Sequence, residues 1–108
     1  MRIFRVCTFL LLSLLHLPAQ QGRSDAIKMQ FPDTEIETIL RLYETLTDRS
    51  IIQDPKSKGQ LISLVSSAEM PPNEAAEYIE ISLLQHGFAI VPTQNPKYWK
   101  LVSSVDAN

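Results

Sequence analysis

The stretch AIKMQFPDTEIETILRLYETLT, residues 26–47, changes its apolar period halfway along, and that change decides the fold. Ile27, Met29 and Phe31 alternate with Lys28 and Gln30, the period of a half-buried strand over Ala26 to Phe31. Pro32 is expected to end it, and Asp33 or Thr34 to cap a helix with Glu35 and Glu37 in its first turn. Through Thr47, residues Ile36, Ile39, Leu40, Leu42, Tyr43 and Leu46 fall on one side of the helical wheel. Asp33, Glu37, Arg41 and Glu44 fall on the other.

Downstream the alternation returns. Asp48 and Arg49 close the helix, and Ser50 to Gln53 reads as a short strand around Ile51 and Ile52. A polar turn over Asp54 to Gly59 follows, in which Pro55 fixes φ and Gly59 permits a positive one. Leu61 to Ser66 is a third strand. A second helix begins after Met70, where proline in the first turn loses only a donor that would be unpaired anyway. Its inner stripe is Ala75, Ala76, Ile79 and Leu83, and Gly87 is the expected left-handed end. Phe88 to Val91 and Tyr98 to Val102 are the last strands, joined by a turn over Pro92 to Pro96. The order β-α-β-β-α-β-β is an α+β domain, two strand-helix-strand units followed by a hairpin strand, with the helices sandwiched between two small sheets.

Outward from the domain, the N-terminus has its own character. Arg2 and Arg5 precede an apolar run from Val6 to Leu17, the charged region and short apolar core of an export signal. About a dozen apolar residues fall short of the roughly 20 that span a bilayer. Residues 1–19 are therefore expected to be a cleaved signal peptide, with the cut between Ala19 and Asp25, and residues 20–25 a flexible leader. The α/β domain occupies residues 26–102 and a frayed tail residues 103–108. Cys7, the only cysteine, leaves with the signal, which excludes a disulfide framework and any thiolate chemistry. Loss of Arg2 and Arg5 leaves eight Lys and Arg against 12 Asp and Glu, taking the formal charge from -2 to -4. Nucleic acid is a poor partner for such a chain, and no membrane span remains after cleavage.

No catalytic constellation emerges. His86 stands alone beside Gly87 at a helix end, where capping is the simplest role, and one histidine without cysteine makes no ordinary zinc site. Glu74, Glu77 and Glu80 read as a solvated helix face. Ser63, Ser66 and Ser67 lack a nucleophile elbow, and Gly22, Gly59 and Gly87 are too scattered for a phosphate loop. Neither enzyme activity nor a cofactor or metal is expected.

The remaining signals are surfaces. Tyr78, Ile81 and Leu84 point away from the inner stripe of the second helix, giving it two apolar faces. Trp99 is expected in the core, which turns Tyr98 outward with Lys100. Ile27, Met29, Tyr78, Ile81, Leu84, Tyr98 and Lys100 are the candidate protein contacts. The first strand and the last strand, from Lys97, are the candidate sheet edges for a partner strand.

Several of these segments resemble the N-terminal periplasmic domain of secretins, the outer-membrane channels of type II secretion, type IV pilus and related systems. The resemblance rests on Ile51-Ile52-Gln53-Asp54-Pro55 with Lys58-Gly59 after it, on His86-Gly87-Phe88-Ala89 running into Ile90 and Val91, and on the helix Ile39 to Thr47 followed by Arg49. A similar fold occurs in the signalling domain of some TonB-dependent receptors, and the resemblance implies two helices packed between a small mixed sheet and a second, smaller one. Asp48 departs from the glycine usual in the pattern, although Asp also tolerates a left-handed conformation. The sequence stops at Asn108 without the ring-forming repeats and channel domain of a secretin. The resemblance therefore implies a free-standing docking module in the periplasm, whose partners are protein components of a secretion, pilus or TonB-type envelope system. Two rival readings are a small-ligand or cell-wall binding module on the same fold and the remnant of a shortened secretin.

Overall fold

The computed structural model describes residues 25–104. The expected signal peptide, most of the leader and most of the tail lie outside them. Five strands and two helices follow in order: β1 (Ile27–Glu35), α1 (Ile36–Thr47), β2 (Ser50–Gln53), β3 (Leu61–Met70), α2 (Pro72–Gln85), β4 (Phe88–Pro92) and β5 (Tyr98–Ser103). The helices lie between a two-stranded antiparallel ribbon, β1-β3, and a three-stranded mixed sheet ordered β2-β5-β4. The α+β class and element order are as the sequence implies.

Both helices bury the stripes their periods define. Ile36, Ile39, Leu40 and Tyr43 of α1 meet Ala75, Ala76, Ile79 and Leu83 of α2, all buried. Met29, Ile62 and Leu64 close this core from the ribbon, and Phe88 and Leu101 close it from the sheet. Asp48 ends α1 in the left-handed region at φ 64°, its N–H donating to the Glu44 carbonyl, so aspartate fills the place of the family's glycine. Gly87, at φ 89°, follows the α2 cap His86, whose Nδ1 lies 2.9 Å from the Ser82 carbonyl oxygen.

Three expectations about local structure are corrected. β1 does not stop at Pro32 but runs to Glu35, and Glu35, not Asp33 or Thr34, precedes the helix without a side-chain cap. The Ile36 N–H instead donates to the Gln60 carbonyl at 2.8 Å. Proline is tolerated inside β1 because it sits in a bulge, where the register slips between Phe31 and Thr34 and Asp33 takes φ 43°. β3 continues to Met70, beyond Ser66. β5 is the central strand, paired with β2 in parallel and β4 antiparallel, so it offers no free edge.

Candidate functional site

The polar groups of this domain are drawn into a clamp between the helices and the sheet. Asp48 turns the chain so that Arg49 reaches back over α1 and α2. Its guanidinium lies 3.8 Å from the centre of the Trp99 ring and donates to the Tyr43 hydroxyl and, at 3.3 Å, to Glu80 Oε2. The Tyr43 hydroxyl donates to the same carboxylate oxygen at 2.5 Å. Burial, and then the charged acceptor Glu80, push this hydroxyl up to about 12 from 10.0, against the opposing pull of Arg49. Two readings from sequence are revised here. Glu80 is engaged in the clamp, and Trp99 is half-buried under a cation instead of lying in the core, where Leu101 takes its place.

A second network fixes the turn after β2. Glu37 accepts from the Gln53 amide at 2.8 Å and from the Gly59 N–H at 3.1 Å, and Gln53 also donates to the fully buried Ser57 hydroxyl. The Gln53 bond, first, and the Gly59 N–H hold the Glu37 carboxyl below its ordinary value of 4.5. On the outer edge of β2, the Ile51 N–H is occupied by Glu44 Oε2 at 2.7 Å. Neither network points to substrate chemistry. Each satisfies its own groups.

In the ribbon, the ladder breaks twice, and a serine repairs each break. The Met29 N–H donates to Ser66 Oγ at 3.1 Å and the Asp33 N–H to Ser63 Oγ at 2.9 Å. The ribbon's inner face is buried, whereas its outer face carries Leu61 and Val65 at 59% and 57% exposure. Neither strand pairs with a third among the described residues.

The candidate contacts separate into groups. Met29 is fully buried and belongs to the core, because β1 turns its odd-numbered side chains toward the helices there. Ile27 is half-buried and pairs with Met70, which shares a groove with Tyr78 and Ile81. Tyr78 is also half-buried and donates to the Val65 carbonyl at 2.7 Å. Ile81 and Leu84 are exposed on α2. Tyr98 and Lys100 lie apart from these on the outer face of the three-stranded sheet, where Lys100 pairs in register with Ile52 and Val91. Leu61, Val65 and Ile52, among the most exposed large apolar side chains, were not singled out. Leu61, Ile62, Leu64 and Val65 are all apolar, so no period in the sequence separates the two faces; the burial of Ile62 and Leu64 is what turns Leu61 and Val65 outward.

Comparison with known proteins gives a consistent picture. The family model of the GspD-like N0 domain matches residues 29–98. No curated protein matches the sequence. Among solved structures, the N0 domain of the type II secretin from enterotoxigenic Escherichia coli is similar at 21% identity and TM-score 0.64, covering 74% of this chain and 96% of that one. XcpQN012 is similar at 23% identity and TM-score 0.65, covering 76% of this chain, which spans only 37% of that longer one. A chain of the enterotoxigenic E. coli GspC-GspD complex is similar at 21% identity and TM-score 0.58, covering 73% of this chain and 57% of that one.

Proposed function

This chain belongs to the GspD-like N0 domain family, and from that premise we propose that it is a protein-docking module of a type II secretion apparatus, exported to the periplasm by residues 1–19. It binds the periplasmic region of a GspC-type component through the β1-β3 ribbon. The observation that carries this reading is the ribbon itself: two strands with no third strand paired to either among the described residues, and Leu61 and Val65 exposed on its outer face. A two-stranded sheet left open in this way is a template for strand addition or for an apolar partner face. The similar fold of a chain solved in a GspC-GspD complex supports the choice of partner. Ile81 and Leu84, and Tyr98 with Lys100, are further contact candidates outside the ribbon.

Calorimetric titration with the periplasmic domain of a GspC-type protein tests it. Binding is expected, weakened about tenfold or more by Val65→Asp, which places a carboxylate in the contact, and unchanged by Ile52→Asp on the opposite sheet. Absence of binding, or equal loss in both variants, would overturn the proposal.

A further inference from the structure

The exposed face of α2 carries charge as well as apolar area. Ile81 and Leu84 are 56% and 55% exposed, although the opposite stripe of the same helix already fills the core. Beside Ile81 lies a groove of 220 Å³, lined by Met70, Glu74, Glu77, Tyr78 and Ile81. Tyr78 is held in place by its hydrogen bond to the Val65 carbonyl, so part of the floor is already ordered before anything binds.

Among the described residues, no lysine or arginine lies within ion-pair distance of Glu74 or Glu77. Glu74 and Glu77 are exposed, and among the described residues the only ion pair within 4.0 Å joins Arg49 to Glu80. Among the described residues no lysine or arginine lines this groove, and the nearby Arg49, which shares an adjoining pocket with Glu77, is paired to Glu80. Glu74 stands in the first turn of α2, where the helix dipole favours it, but about half an elementary charge does not neutralise two carboxylates. An acidic partner would be repelled here, and a neutral one would leave both charges unanswered as water is displaced.

We propose that this groove docks a segment of a partner protein in which an apolar side chain is flanked by lysine or arginine. The apolar side chain covers Met70, Tyr78 and Ile81, and the cations meet Glu74 and Glu77. The groove adjoins the ribbon at Met70 and through the hydrogen bond between Tyr78 and Val65, but its acidic rim belongs to α2, so this inference does not rest on the GspC reading.

The probe is a labelled synthetic peptide with leucine at its centre and two lysines on each side, together with a twin carrying glutamates, titrated into the full chain by fluorescence anisotropy. The lysine peptide is expected to bind about tenfold tighter than its twin, and the double change Glu74→Lys and Glu77→Lys to remove that advantage. Asp25→Lys with Glu35→Lys alters net charge equally at exposed positions and is expected to change affinity less than about threefold. Ile81→Ser is expected to weaken binding about threefold or more, and Ile52→Ser, exposed on the three-stranded sheet, to leave it unchanged. Circular dichroism confirms that each variant is folded. Equal loss in both charge-altered pairs would mean general attraction to an acidic chain and would overturn the proposal, as would indifference to Ile81→Ser or equal affinity for the two peptides.

Discussion

The two sheets flanking the helices differ in regularity. β2-β5 and β4-β5 pair without a slip, over four and five consecutive residue pairs respectively. The β1-β3 ribbon slips twice, carries a positive φ at Asp33, and fills its gaps with serine hydroxyls. The three-stranded sheet also has its outer β2 edge occupied at Ile51 by Glu44, whereas among the described residues no third strand joins the ribbon, where Tyr78 engages only the Val65 carbonyl. Where the ladder is continuous, the structure supports itself. Where it is broken, backbone and apolar groups stay at the surface, and there a docking function has most to work with.

The largest test of this contrast sets an inner residue of the regular sheet against an outer residue of the ribbon. Leu101→Ala is expected to cost about 2–5 kcal/mol in denaturant unfolding, because it empties a fully buried site, and Val65→Ala no more than about 0.5 kcal/mol. Comparable losses would erase the distinction between scaffold and surface. A smaller effect sharpens it: Asp33→Val places a β-branched side chain at φ 43° and is expected to lower stability by about 1–2 kcal/mol. The same change at Lys100, in regular strand, is expected to be nearly neutral by the same measurement.

The smallest effect is alkaline. With the folded-state value of Tyr43 raised to about 12 from an unfolded value near 10.0, the hydroxyl is neutral in both states below pH 10 and its contribution is intact. Above that the unfolded chain ionises first, so stability falls as pH rises through 12. Unfolding measured across this range should show a loss that Tyr43→Phe removes.

Much of this was legible from the chain. The 3.6-residue period of α1 and α2 picked out Ile36, Ile39, Tyr43, Ala75, Ile79 and Leu83 because helix burial is a local pattern. β2 and its turn were legible for the same reason, Pro55 and Gly59 being local punctuation. Strand order was not. The parallel pairing of Ile51 with Trp99 joins residues far apart in sequence, and no period records it, so the sequence alone leaves β5 a candidate edge. The continuation of β1 past Pro32 was hidden because a proline normally ends a strand, and the bulge that excuses it depends on Ser63 across the ribbon. The clamp of Arg49 on Trp99 and Glu80 was invisible likewise, since three separate elements meet there. On sequence Met29 fits both an inward face and a contact, and its burial decides for the first.

The central position of β5 also orders events in time. It follows both of its neighbours in the chain, so β2 and β4 have no common partner to pair with until Tyr98 to Ser103 has been made. Closing the long loop from β2 to β5 is a slow, entropically costly step compared with forming either helix. A nascent chain lacking these residues therefore holds helices and ribbon at most, and assembly of the three-stranded sheet waits on β5.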